Sequence, residues 1–286
     1  QDGCDYNCSF CTIPLARGES RSQNIEECVA QAAALVENGY REIVLTGVNV
    51  GDYGRKENRN LLTLLSALID IPRLDRLRIS SIEPNLLTDD LLRFMAEHER
   101  MCRHLHIPLQ SGSDTVLRMM RRRYTTHFYR GLIERILTMM PDCGIGADII
   151  TGFPGETGAH FEETRKFLAD LPVSYLHVFT YSERNNTPAA TFGGQVPREA
   201  RSRRNGILRD ISARKRRTFL ASLAGRTVPV LFESTVEDNL RFGLTTHYAR
   251  VGVPSGQARE NSMYEVKILE CGDDWCRGEV LKGEPA

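Results

Sequence analysis

Cys4, Cys8 and Cys11 stand at C-x3-C-x2-C spacing, ahead of the first convincing helical pattern. Thiolates select soft metals, and three so close together can converge on one inorganic centre. No fourth cysteine is local, because Cys28 falls inside the helical pattern that follows. Three ligands on a four-iron cube would leave one iron open to a ligand from outside the protein. A structural zinc loop or three unconnected thiols are the plainer readings. Zinc loops, however, usually join C-x2-C to a nearby fourth Cys or His.

Such a loop needs a scaffold to hold it. Asn24 is placed to cap a helix with Glu26 and Glu27 in its first turn, where the helix dipole favours acids. That helix should bury Val29, Ala32, Ala33 and Val36 and stop at Asn38-Gly39. Five strands are predicted after it, at Glu42–Leu45, Leu77–Ser81, His104–Pro108, Gly146–Thr151 and Tyr175–Tyr181. Helices are predicted between them at Leu61–Ile69, Asp89–His98, Thr126–Met140 and Gly158–Ala169. The alternation implies an α/β fold with a parallel sheet and right-handed crossovers. Parallel barrels carry function on the loops after their strands. The cysteine loop should therefore follow a strand too, and one more is expected upstream of Gln1. A chain opening on Gln rather than Met points the same way, to a fragment.

Several loops after the strands are polar and glycine-rich: Gly47–Gly54, Ser81–Pro84, Gln110–Ser113 and Gly152–Glu156. Ordinary turn chemistry explains any one of them; their recurrence along one rim suggests a ligand. None is a phosphate-cradling Walker loop, since no Gly-Lys-Ser/Thr follows. Between Arg198 and Arg217, nine of twenty residues are basic and two acidic, in a helical pattern. This is a solvated linker helix, at about 198–222, or a phosphate-contacting surface. Arg121-Arg122-Arg123-Tyr124 is a second candidate patch.

Beyond Ala224-Gly225 the pattern turns to period two. Short strands are predicted at Thr227–Phe232, Arg241–Thr246, Ala249–Val253 and Tyr264–Glu270, which fits a small antiparallel barrel over 223–286. Its seven basic and ten acidic residues work against a nucleic-acid face. Cys271 and Cys276 read as incidental thiols. The whole chain has 37 basic and 37 acidic residues, so any affinity for nucleic acid must be local. No run is long and apolar enough for a membrane helix, and no signal peptide is visible, so a reducing cytoplasmic setting is expected.

Taken in order, the motifs resemble those of the radical S-adenosylmethionine methylthiotransferases. The match rests on the three cysteines, Arg78–Pro84, His106–Ser113, Arg122–Thr125, Asp148–Glu156 and Phe179–Arg184. It implies a partial (β/α)6 barrel with its first strand truncated, over 1–222, and a terminal barrel like the RNA-associated TRAM domain. It implies that Cys4, Cys8 and Cys11 hold a 4Fe-4S cluster whose open iron chelates S-adenosylmethionine, cleaved by one electron to a 5′-deoxyadenosyl radical. Phe10 matches an aromatic near the adenine, and the turn with Gly47 and Asn49 a loop at the methionyl group. Glu83, Gln110 and Asp148 are further candidates for polar contacts to this cofactor. The sequence Leu45–Gly54 is most similar to the MtaB-type branch, which modifies N6-threonylcarbamoyladenosine beside the tRNA anticodon. MiaB-type enzymes on isopentenyl-adenosine and RimO-type enzymes on a ribosomal-protein aspartate are the alternatives. A catalytically silent RNA-binding fragment is another. Arg17, Arg123 and Arg184 are candidates to clamp the threonylcarbamoyl carboxylate. The resemblance also implies tRNA and a flavodoxin or ferredoxin-like electron donor as partners. A second 4Fe-4S cluster is expected only in an N-terminal domain that this sequence lacks, so methylthio transfer should need that domain.

Overall fold

The computed structural model describes residues 1–283. Helices and strands alternate through the first three-quarters of the chain. The order is α1 (Ile13–Arg17), α2 (Ile25–Glu37), β1 (Glu42–Leu45), α3 (Leu61–Ile69), β2 (Arg76–Ile79), α4 (Asp89–Glu97) and β3 (His104–His106). It continues through α5 (Asp114–Met119), α6 (Thr126–Met139), β4 (Gly144–Thr151), α7 (Gly158–Asp170), β5 (Tyr175–Thr180) and α8 (Arg198–Ala221). Local chemistry starts these helices. The side chains of Asn24, Asn60, Thr88, Thr125 and Thr157 each accept a hydrogen bond from a first-turn backbone N–H of α2, α3, α4, α6 and α7.

The five strands are parallel where they pair. Ile43 lies opposite Leu77, Leu105 opposite Ile145, and Ala147 opposite Leu176. A single bridge from Leu77 to Met101 and a bond from Ile82 N–H to the His106 carbonyl (3.0 Å) close the seam between β2 and β3. The spatial order is therefore β1-β2-β3-β4-β5.

Alternation along each strand sorts the two faces. Ile43, Leu77, Ile79, Leu105, Ile145, Ala147, Ile149 and Leu176 join the core under the helices. The alternate residues line the inner face: Glu42, Arg76, Arg78, His104, His106, Asp148, Tyr175 and His177. Parallel strands buried on both faces normally read as continuous apolar runs. Here the inner face is a polar and aromatic lumen.

Helix α8 is not a linker. Leu208 and Ile211 are buried in the main core. Asn205 donates to the Val178 carbonyl (3.0 Å), and Ser212 Oγ both accepts from Leu176 N–H (2.8 Å) and donates to the Leu176 carbonyl (2.9 Å). It is the helix that covers β5. Many of its charges are engaged: Arg204 with Glu156, Lys215 with the Leu171 carbonyl, Arg216 with Asp274 and Arg217 with Asp273. Exposed Arg198, Arg203, Arg209 and Arg214 have no acidic partner among the described residues.

The remainder forms a closed barrel of β6 (Thr227–Glu237), β7 (Leu240–Thr245), β8 (Arg250–Pro254), β9 (Ser262–Cys271) and β10 (Cys276–Gly283), ordered β9-β6-β7-β8-β10. The sequence patterns foresee four of these strands and miss β10. Cys276-Arg277-Gly278-Glu279 does alternate buried and exposed, but with Cys and Gly inward it lacks the β-branched and aromatic residues that mark a strand, and two register shifts interrupt its pairing with β9. Cys271 and Cys276 correct the sequence reading as well. They are not separate thiols but a disulfide, because antiparallel pairing sets them directly opposite each other. Among the described residues, no helix is long and apolar enough to cross a membrane.

The small barrel docks on the amino ends of the parallel strands. Arg76 donates to the carbonyls of Leu244 (2.8 Å) and Pro229 (2.7 Å), and Arg78 to those of Thr245 and Thr246 (3.2 Å each). A Cβ at Gly144 would lie 2.3 Å from the His247 carbonyl oxygen, so only glycine permits this approach. Tyr248 stacks on His104 with centroids 4.6 Å apart, closing the lumen at this end. The other end, at the carboxyl ends of the strands, carries the cysteine loop.

Candidate active site

The loop of Cys4, Cys8 and Cys11 is held from three sides. Asp2 and Arg21 exchange backbone hydrogen bonds (2.9 and 2.8 Å), and Cys4 N–H reaches the Gly18 carbonyl (3.1 Å). Gly3 sits at φ 70°, where a Cβ would collide with the Glu19 carbonyl at 2.0 Å. Ser9 is buried and donates its hydroxyl to Met119 and its N–H to Met120, at the end of α5 (2.8 and 3.1 Å). Ala189 N–H closes the third side on the Ser9 carbonyl (2.8 Å).

Each of the three sulfurs accepts one N–H. Tyr6 N–H donates to Cys4 Sγ (3.4 Å), Ile13 N–H to Cys11 Sγ (3.4 Å), and the Arg122 guanidinium to Cys8 Sγ (3.1 Å). Burial pushes the Cys4 and Cys8 thiols above their ordinary pKa. The charges of Cys8, Cys11 and Glu83 push Cys4 further in the same direction. Three soft donors that repel one another as anions, each provided with an N–H, suit a shared cationic metal centre. The residues present thus fit a cluster.

Arg122 is the residue the sequence patterns misplace. Within Arg121–Tyr124 it reads as part of a basic surface patch, but its side chain is 4% exposed. Arg121 takes φ 58°, reversing the chain at the end of α5 and sending Arg122 inward. It lies between Cys8 and Glu83, with which it forms an ion pair, and its Nε donates to Tyr124 (3.0 Å). Tyr124 is buried as well, donating to the Pro108 and Leu109 carbonyls (2.8 and 2.9 Å). Of the run's three arginines, only Arg121 and Arg123 are exposed.

Other candidates fall into separate groups. Phe10 packs edge-on against Phe153 (6.4 Å), on an apolar shelf with Val116, Met120 and Tyr181. Gly47 and Asn49 lie after β1 beside Gln1, whose side-chain oxygen accepts Asn49 N–H (2.7 Å). Asn49 is buried, and both atoms of its amide lack a hydrogen-bond partner. Gln110 takes φ 72°, and its buried Oε1 is likewise without a partner, while its backbone pairs with Asp148 and Ile150 (2.7 and 2.9 Å). Buried, unpartnered polar atoms are uncommon and call for an explanation such as a ligand.

Glu83 faces Arg122 rather than open space. Asp148 pairs with His106 and His177 (2.9 and 3.4 Å). Burial alone would raise its pKa, but the two imidazole hydrogen bonds outweigh burial and hold the carboxyl at about 2. The three arginines suggested for a substrate carboxylate are dispersed. Arg17 lies 3.9 Å from Asp2, Arg123 stacks on Tyr6 at 3.8 Å, and Arg184 is exposed after β5.

Apart from Asp148, the lumen residues escape the sequence reading. His104 is hydrogen-bonded to Tyr175 (2.8 Å), and burial pushes its pKa down to about 3, so the ring is neutral. A cavity of about 470 Å³ lies against Arg78, His104, His106, Tyr175, His177 and Tyr248. The signal that exposes these residues is the polar beat of Arg-Leu-Arg-Ile and His-Leu-His within otherwise apolar strands.

A parallel α/β sheet with a three-thiol loop at its carboxyl edge defines an enzyme scaffold built to carry a metal cluster over a lumen. The chain belongs to the radical SAM superfamily, whose family model matches residues 1–168. Membership implies a 4Fe-4S cluster and S-adenosylmethionine. A threonylcarbamoyladenosine tRNA methylthiotransferase, MtaB, of Bacillus subtilis is 37% identical over 288 residues, covering 99% of this chain and 64% of that protein. The one from Rickettsia prowazekii is 40% identical and covers 82% and 56%. A tRNA-2-methylthio-N(6)-dimethylallyladenosine synthase of Endomicrobium trichonymphae is 39% identical and covers 81% and 55%. The chain thus spans 64% of the first of these relatives and 55% of the last. Among solved structures, the radical S-adenosylmethionine methyltransferase TsrM of Kitasatospora setae superposes with a TM-score of 0.54 at 18% identity, over 66% of this chain and 37% of that one. Methylornithine synthase gives 0.51 at 15% identity, over 73% and 60%. At these identities the likeness concerns the fold alone.

Asn49→Ala tests the rim. Removing an amide that has no partner is expected to change stability by less than about 1 kcal/mol. The same change is expected to weaken S-adenosylmethionine binding about tenfold, the value of one lost hydrogen bond to a charged group. Calorimetric titration of the cluster-loaded chain measures the second effect, and thermal melting the first.

Proposed function

We propose that this chain is the partial (β/α)6 catalytic core, at 1–222, and the TRAM-like barrel, at 223–286, of a tRNA methylthiotransferase. The proposed target is C2 of N6-threonylcarbamoyladenosine next to the anticodon. The observation that carries the reading is the single loop that holds Cys4, Cys8 and Cys11, each sulfur with its own N–H donor, at the carboxyl edge of the parallel strands. The names of the relatives supply the substrate class.

In this reading Cys4, Cys8 and Cys11 would hold the cluster, and the chemistry it would supply is one-electron reduction of S-adenosylmethionine. The protein contributes position and exclusion of water. Arg122 neutralises part of the cluster's negative charge, and Glu83 holds the guanidinium in place. Phe10 and its shelf form an apolar wall for the adenine. Asn49 and Gln110 offer their unpartnered amides to the cofactor's polar groups. Exposed Arg198, Arg203, Arg209 and Arg214 on α8 offer a face to the tRNA backbone, and the acidic small barrel contributes shape more than charge. A flavodoxin or ferredoxin-like donor would supply the electron, and a further domain carrying a second cluster would hold the transferred sulfur.

Anaerobic reconstitution with iron and sulfide tests the core of the proposal. A brown chain with about four irons is expected, falling below about one iron in Cys8→Ala. A colourless chain that still binds tRNA would leave only an RNA-binding module. Nucleoside mass spectrometry of tRNA from cells with and without the intact gene tests the substrate. A second substrate has support from the relative of Endomicrobium trichonymphae, named for dimethylallyladenosine. Loss of the methylthio group from isopentenyl-adenosine, with the threonylcarbamoyl nucleoside unchanged, would select that reading.

A further inference from the structure

We propose that His106, Asp148 and His177 form a site for one divalent first-row transition-metal ion, separate from the cysteine loop. The three residues come from adjacent parallel strands β3, β4 and β5, and all project onto the inner face. One ligand atom from each, the two imidazole nitrogens and a carboxylate oxygen, lies within 4.8 Å of the others. Asp148 Oδ1 is 2.9 Å from His106 Nε2 and 3.4 Å from His177 Nδ1. Metal–ligand bonds of about 2.0–2.1 Å set neighbouring donors roughly 2.9–3.4 Å apart, for angles between octahedral and tetrahedral. The spacing is thus already that of two edges of a coordination polyhedron.

Donor chemistry separates this site from the thiolate loop. Two imidazoles and one carboxylate suit Fe²⁺, Mn²⁺, Co²⁺ or Zn²⁺, and such a three-residue set leaves coordination positions open. His106 and His177 lie on the wall of the 470 Å³ cavity, so the open positions face it. The side chains are 13%, 26% and 51% exposed for His106, Asp148 and His177, which gives an ion a way in. Arg78 lines the same cavity, but its charge is taken up by Glu42 at 2.6 Å. Gly146 keeps the neighbourhood open, since a Cβ there would strike the Tyr175 ring at 2.3 Å. This inference does not depend on the tRNA substrate.

Mn²⁺ is a suitable probe because it avoids thiolates. Titrated into the cluster-loaded chain, it is expected to lose its free-ion electron paramagnetic resonance signal to one saturable site. His177→Gln, at a half-exposed position that should leave the melting temperature unchanged, is expected to weaken binding at least about tenfold, and Asp148→Asn at least as much. Absence of saturable binding would overturn the proposal. So would binding by both variants as tight as that of the unaltered chain, which would put the ion elsewhere.

Discussion

Glu42→Gln is expected to destabilise the protein by about 3–5 kcal/mol and to lower the melting temperature by roughly 10 °C. Two arginines on β2, Arg76 and Arg78, have side chains only 2% and 3% exposed. Glu42 lies 2.6 Å from Arg78 and 3.7 Å from Arg76. No other carboxylate approaches either guanidinium among the described ion pairs. Neutralising this one residue therefore strands two buried cations. Most of the expected loss is the cost of unpaired charge, not the worth of the pair. Both arginines also hold carbonyls of the small barrel, so the damage should spread to its docking. Thermal melting followed by circular dichroism measures the change. A loss below about 1 kcal/mol would show that water reaches the arginines and that they do not anchor the barrel.

Why the fold was largely legible follows from the strands. Their apolar residues at Ile43, Leu77, Leu105, Ile145 and Leu176 face a core made by helices whose Asn and Thr caps are visible locally. Strand ends are less legible because they are set by the partner. Arg76 extends β2 upstream of the apolar run, and Gly144 extends β4, since in each case the small barrel docks there. Helix α8 shows the limit more sharply. Nine basic and two acidic residues in twenty suggest a solvated rod, yet Leu208 and Ile211 with the two polar anchors Asn205 and Ser212 suffice to bind it to β5.

The site divides in the same way. Cys4, Cys8 and Cys11 are adjacent in sequence, so spacing alone reveals them. His106, Asp148 and His177 are separated by 42 and 29 positions and meet only because three strands lie in register. Arg122 hides in a run of like charges, and only the positive φ of Arg121 makes it differ from its neighbours. A tertiary contact of this kind leaves almost no local signature.

Arg122 also allows a prediction of opposite signs. Arg122→Gln removes a guanidinium that touches Cys8 Sγ and pairs with Glu83, whose side chain is 17% exposed. Leaving Glu83 unpaired at that depth should cost about 3–5 kcal/mol of stability. With the cluster assembled, the same change removes a positive charge that favours the reduced form. A differential of about 1 kcal/mol corresponds to roughly 45 mV for one electron, so the midpoint potential is expected to fall by that order. Glu83→Gln leaves the arginine and removes the opposing carboxylate, so the potential should rise instead. Stability is expected to drop in both variants, while the potentials diverge. Redox titration followed by electron paramagnetic resonance of the reduced cluster separates the two effects. Shifts in the same direction, or none, would mean that Arg122 only braces the loop, and that the potential is set by other groups around the sulfurs.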